Sequence, residues 1–261
     1  MSNILVFDTE TTNLIPRGKS IYANNMTQEL LDTMPYIVTI STITYGIAIM
    51  DIIKYEDDII KIPKEVIITP ENYAFHKLSQ IDIQKRGNPI ETIIDKFILD
   101  YNKADLIVGH NIYFDIEMMR IELARLIFKK DDNCDKWTSY YRILMNSKSK
   151  RYCTCHNMIG KQLCGKTPKL IELYKALFGE SPSRLHESLY DVYATLRCYI
   201  KMVEGYDICS GNVNLLDECI ETERKRIQMD KKFKKDDIII GNILDKNYSK
   251  ILTRQSLKML N

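Results

Sequence analysis

The chain has 261 residues, a net charge of +2, 45% hydrophobic and 28% charged residues; this is ordinary globular composition and excludes disorder, collagen and fibre. Its longest apolar stretches, such as 37–49, are interrupted by Thr, Ser and Gly before reaching the ~20 residues of a bilayer span, and the N-terminus lacks a basic leader, so the expectation is an unexported protein with no membrane partner. The charge is uneven: residues 221–261 hold 11 Lys/Arg against 6 Asp/Glu, a net of +5, leaving −3 for residues 1–220.

Ile4 to Phe7 reads as a buried strand whose carboxyl end carries Asp8, Thr9 and Glu10. Residues 15–34 are polar, longer than an ordinary connection, and read as an insertion with a short helix near 28–31. Tyr36 to Tyr45 and Ile47 to Tyr55, separated by Gly46, read as a hairpin. From Ile90 to Tyr101 the apolar positions 90, 93, 94, 97 and 98 give an amphipathic helix. Leu106 to Val108 is a strand ending at Gly109, and Phe114 to Phe128 a helix. Residues 129–152 read as a Lys-rich loop or lid, in which Trp137, Tyr140 and Tyr141 among Lys148, Lys150 and Arg151 suit stacking on single-stranded bases. Short and long helices follow at 169–177 and 189–203. Hairpin first and alternating strand and helix afterwards predict an α/β fold, a mixed sheet flanked by helices. Periodicity stops around Gly205, so residues 1–205 are expected as one domain and 206–261 as a charged, basic C-terminal extension.

Seven cysteines, an odd number, in a chain long enough to build its own core predict reduced thiols and a reducing, intracellular compartment, cytoplasm or nucleus. Cys153, Cys155 and His156 resemble half a zinc site, but one intervening residue is short of the usual two to four; half-buried thiols are the expectation there. The 38 isoleucines, with abundant Asn, Lys and Tyr, suggest an AT-rich genome.

Chemistry points to four acids. Residues two apart on a strand share a face, so Asp8 and Glu10 aim two carboxylates at one spot, a costly arrangement unless a hard cation neutralises it. Asp115 follows the second strand end, 108–111, where open α/β sheets place ligands. Asp191 sits among apolar neighbours in the last helix, and His186 lies five residues before it.

Phe7-Asp8-Thr9-Glu10-Thr11-Thr12, Gly109-His110-Asn111-x-x-Phe114-Asp115 and His186-x-x-x-x-Asp191 resemble, in order, the three motifs of the DEDDh exonucleases, which include proofreading epsilon subunits, TREX-type enzymes, ribonuclease T and oligoribonuclease. The resemblance runs from about Asn3 to Val203. It implies a ribonuclease H-like fold, and two divalent cations, Mg²⁺ or Mn²⁺, held by Asp8, Glu10, Asp115 and Asp191 with Asp8 bridging. It implies His186 as general base, and Thr11, Leu14, His76 and Asn111 as substrate contacts. Asn13 stands where the family usually has glycine. The implied activity is 3′→5′ hydrolysis of single-stranded or frayed ends to nucleoside 5′-monophosphates, with DNA ahead of RNA, as in proofreading or repair. An RNA exonuclease is the alternative, and an inert module recruiting partners through its basic tail is a third reading. The extension is a candidate contact for a polymerase or other protein.

Overall fold

The computed structural model describes residues 2–21, 26–182 and 187–209. Five strands, β1 (Asn3–Thr11), β2 (Ile37–Gly46), β3 (Asp51–Ile59), β4 (Leu106–Gly109) and β5 (Arg151–Cys153), form one sheet in the order β3-β2-β1-β4-β5. The β1/β2 and β2/β3 pairs are antiparallel, whereas β4 runs parallel to both β1 and β5. This is the mixed, ribonuclease H-like sheet that the sequence predicts. Among the described residues, no helix is long and apolar enough to cross a membrane.

Alternation along β1 sets the layers. Leu5 and Phe7 enter the larger core with α4 (Ile90–Lys103) and α5 (Ile112–Phe128), Phe7 meeting Phe97 at a ring separation of 4.8 Å. Ile4 and Val6, equally buried, lie on the other face, where α9 (Ser188–Val203) packs on β1, β2 and β4 through Leu189, Val192, Leu196 and Ile200. Asp8 and Glu10 continue the Ile4/Val6 parity, and Thr9 the Leu5/Phe7 parity.

The insertion is stitched to α5. Its helix α1 (Gln28–Asp32) begins at Thr27, whose hydroxyl accepts from the Leu30 N–H. The Arg125 guanidinium donates to the carbonyls of Met34 (2.7 Å) and Pro35 (3.0 Å), and Glu122 accepts from the Ile37 N–H (3.0 Å). Arg120 and the Tyr141 hydroxyl both donate to the Ile21 carbonyl.

Residues 129–152 are not a lid. They contain α6 (Cys134–Asn146), followed by a single 3₁₀ turn and β5. Trp137, Tyr141 and Leu144, at i, i+4 and i+7, are buried against α5, so the aromatic residues expected to stack on bases build core instead. The basic residues are similarly occupied: Lys150 donates to the Tyr101 carbonyl at 2.8 Å and Arg151 to the Tyr101 hydroxyl at 3.1 Å. Helical spacing was present in the sequence, masked by its polar composition.

The hairpin also shifts. Gly46 stays in the ladder opposite Asn3 and Asp51, and the reversal falls on 47–50, closed by left-handed Met50 (φ 53°). A Cβ on Gly46 would meet Ile49 Cγ1 at 2.8 Å, so this glycine serves close packing rather than the turn. Three further helices went unforeseen: α2 (Pro70–His76), α3 (Gln80–Arg86) and α7 (Met158–Cys164). Thr69 and Ser79 cap α2 and α3 with reciprocal capping boxes, a start signal legible in the sequence. Helix α8 (Leu170–Phe178) matches expectation.

Past α9 the chain stays attached. Arg197 forms a bidentate pair with Asp207 (2.8 and 2.7 Å), and Tyr206 shares a hydrogen bond with Tyr45. The rest of the expected extension lies outside the described residues.

Candidate active site

The carboxyl end of β1 meets three other elements. Asp8 and Glu10 face the α9 side, where Asp191 occupies the first turn of α9. Thr9 faces α5, its N–H and hydroxyl both donating to Asp115 Oδ1 at 3.0 and 2.7 Å. Asp115 itself is only 2% exposed. A bulge between Glu10 and Thr11 ends the regular pairing with β2, a distortion that recurs beside active sites because it re-aims the chain.

The start of α5 is built for a tight approach. Gly109 ends β4 so close to α5 that a Cβ would sit 2.9 Å from Ile112 Cβ. Asn111 then takes a left-handed conformation (φ 68°), which Asn tolerates better than most residues, and begins the helix. His110 points away from solvent: its Nε2–H donates to the Pro168 carbonyl (3.1 Å) and its Nδ1 meets the Thr154 hydroxyl (2.9 Å).

Electrostatics shows that the four acids converge. Burial, then the charges of Asp115, Glu10 and Asp191, hold the Asp8 carboxyl well above the carboxylate range. Burial, followed by Asp191 and Asp115, pushes Glu10 to about 7. Asp115 is also pushed to about 7, by burial working against the Thr9 hydrogen bonds that favour its anion. Among the described residues, no Lys or Arg pairs with Asp8, Glu10 or Asp115. Such a set of hard oxygen donors fits hard divalent cations and would otherwise repel itself. Among the described residues, no three of the carboxylates bring ligand oxygens within 4.8 Å of one another; Cys153, Cys155 and His156 do meet that spacing.

The remaining expected residues divide. Thr11 donates its hydroxyl to the Asn13 carbonyl at 2.8 Å, and Leu14 is 75% exposed just beyond the β1 end. Asn13 keeps its backbone out of the left-handed region, its side chain instead accepting from the Leu14 N–H at 2.8 Å. The turn therefore does not use a left-handed backbone at this position. Asn111 is exposed at the α5 start, whereas His76 is buried, its pKa lowered by burial and its Nδ1 accepting from the Leu78 N–H. Helix α2 is tied to the β1 end by the Asn72 amide, which donates to the Thr12 carbonyl at 2.7 Å. His186 lies outside the described residues. Thr9 was overlooked in the sequence, although its strand parity already turned it toward α5.

The family model for exonucleases of the RNase_T group matches residues 5–199, spanning the three motif segments. The chain belongs to this exonuclease family. Its DEDDh resemblance is thus borne out. No curated protein sequence matches. Similar solved structures include Escherichia coli exonuclease I in complex with a dT13 oligonucleotide, at 16% identity and TM-score 0.54, over 78% of this chain and 42% of that one. The zinc-bound form of the E. coli exonuclease I–ssDNA complex matches at 16% identity and TM-score 0.53, over 85% and 43%. Exonuclease I from Methylocaldum szegediense matches at 15% and 0.52, over 80% and 42%. At such identities the likeness establishes the fold, and this exonuclease-family chain spans about two fifths of the length of those proteins.

Proposed function

We propose that this protein is a 3′→5′ exonuclease dependent on divalent cations, Mg²⁺ or Mn²⁺, that removes nucleoside 5′-monophosphates from single-stranded or frayed 3′ ends, DNA ahead of RNA. The observation carrying this reading is the convergence of Asp8, Glu10, Asp115 and Asp191 at one sheet edge of an exonuclease-family fold, with Asp8 feeling the charge of all three others. That central position suits Asp8 to a bridging role. The ssDNA bound by E. coli exonuclease I supports a single-stranded substrate here.

When bound, the cations supply charge neutralisation at the scissile phosphate and acidify the attacking water. The protein's part is placement. Thr9 holds one Asp115 oxygen by two hydrogen bonds, so the carboxylate keeps its orientation while the other oxygen is left for a ligand. His186 takes the proton from the attacking water, a task suited to an imidazole that titrates near neutral pH. Thr11 and Asn111 offer polar contacts to the terminal nucleotide, and Leu14 offers an apolar wedge against a base. His76 orders the turn after α2 through the Leu78 N–H. A nucleus or cytoplasm suits the free thiols, and a polymerase would meet the protein through residues 206–261.

The decisive assay incubates the full chain with 5′-labelled single-stranded DNA, duplex DNA and RNA plus Mg²⁺ or Mn²⁺. A ladder of progressively shorter products from single-stranded DNA, lost in His186→Ala and in chelator, is expected. RNA cut in preference to DNA would reassign the substrate, and no product from any polymer would sink the nuclease reading.

Thr9 gives a finer test. Thr9→Val removes the 2.7 Å hydroxyl bond to Asp115, and orienting partners of metal ligands are worth about 10–100-fold in affinity or activity. Mn²⁺ titration by calorimetry and single-turnover rates should both weaken by that order, with Thr9→Ser close to wild type.

A further inference from the structure

Outside the carboxylate cluster, Cys153, Cys155 and His156 come together at the end of β5. Cys153 Sγ lies 3.6 Å from Cys155 Sγ and 3.1 Å from His156 Nδ1, while Cys155 Sγ lies 3.3 Å from the same nitrogen. We propose that these three side chains form a zinc site, separate from the acidic site in both position and metal preference.

The geometry argues first. Tetrahedral zinc, with Zn–S about 2.3 Å and Zn–N about 2.0–2.1 Å, spaces its ligands about 3.8 Å (S to S) and about 3.6 Å (S to N). The triangle in the protein is within half an ångström of this on every edge.

The short spacing in sequence is overcome by the backbone. Cys153 closes β5 and Cys155 follows in the turn after it, which brings the two sulfurs within 3.6 Å. Thr154 between them is fully buried, its N–H donating to the Gly109 carbonyl at 3.0 Å. The Asn157 N–H donates back to the Cys153 carbonyl (3.0 Å), closing a turn that brings His156 round to the two sulfurs.

The surroundings favour bound thiolates. The start of the 17-residue helix α5 follows Gly109, which pairs with Cys153 across the sheet, so the positive end of that helix lies beside the sulfurs. Both cysteines are buried, at 7% and 3%, whereas His156 is exposed and rests against the Tyr113 ring at 5.8 Å. Buried sulfurs with a surface imidazole leave the fourth corner to water, a three-ligand arrangement. Two thiolates and an imidazole select zinc over the hard Mg²⁺ and Mn²⁺ suited to carboxylates. Zinc here would pin the start of α5 to the end of β5, three residues before Asp115.

The test uses the reduced, chelator-stripped full chain. One equivalent of Co²⁺ should raise a thiolate-to-cobalt charge-transfer band that Zn²⁺ bleaches. Asp8→Asn should keep the band, because carboxylates cannot produce it. Cys153→Ser and Cys155→Ser should abolish it, and His156→Ala should weaken Zn²⁺ binding, against a chromogenic chelator, by at least about tenfold. In the wild-type protein Zn²⁺ should shield Cys153 and Cys155, but not Cys134, from alkylation read by peptide mass spectrometry, which keeps the test decisive if a variant fails to fold. Absence of the band or of protection, or a band that survives the Cys153→Ser/Cys155→Ser double variant, would each overturn the proposal.

Discussion

Asp8→Asn should abolish exonuclease turnover while making the metal-free protein more stable. Asp8 senses the charges of Asp115, Glu10 and Asp191, and burial plus those charges already disfavour its anion. The isosteric amide removes that charge without opening a cavity. On the activity side, neutralising charge at a transferring phosphate is worth several kcal/mol, so kcat should fall by about 10³-fold or more. On the stability side, a gain on the order of 1 kcal/mol would raise Tm by about 2–4 °C in a domain of this size. Calorimetric melting in chelator and single-turnover cleavage with Mn²⁺ measure the two effects on the same samples. A residue serving only the fold would lower Tm without abolishing cleavage by the folded protein, so a lowered Tm with retained cleavage would remove Asp8 from the site. Stability given up for a cluster of like charges marks a place built for something other than folding.

The same cluster dictates an unusual pH response. Glu10 rises from 4.5 to about 7 and Asp115 from 3.8 to about 7 on folding, both mainly through burial. A raised carboxyl pKa means that the folded state binds protons more tightly than the unfolded chain. Its contribution is therefore fully present below about pH 4 and is lost as pH rises toward about 7. For Glu10 alone the shift corresponds to roughly 3 kcal/mol between those limits. Between pH 5 and 8, metal-free protein should thus lose stability, where many proteins are near their best. Mg²⁺ or Mn²⁺ at pH 8 should restore it by taking the protons' place, and should act weakly at pH 5, where protons compete. Denaturant melts at the two pH values, with and without cation, check this. Equal stability at both, or a cation effect larger at pH 5, would mean that the four acids do not share a cation site. Cleavage should rise with pH through the same window for the same reason.

Much of this was legible in the chain. The apolar run 4–7, the amphipathic 90–101 pattern and the 106–109 strand became β1, α4 and β4, with β1 running on to Thr11, because burial on one or two faces leaves a periodic mark that needs no knowledge of partners. The acids were legible as a set because strand parity joins Asp8 to Glu10 and ordered motifs join both to Asp115 and Asp191. Polar composition misled at 129–152, where Trp137 and Tyr141 pack into the core while their lysine neighbours stay at the surface or bond to backbone. A helix with a narrow apolar stripe looks like a loop when averaged over its whole length.

Taken alone, then, the linear order of residues determined the layered α/β architecture, the family and the identity of the acids, since periodicity and motif order are local properties of a chain. It was silent on distances between segments remote in sequence. Folding decided that Thr9 grips Asp115 across 106 positions and that Arg120 and Arg125 fasten the insertion to α5. Each is a meeting of groups fixed by sheet order and helix packing, and such meetings leave no periodic trace in the sequence that produces them.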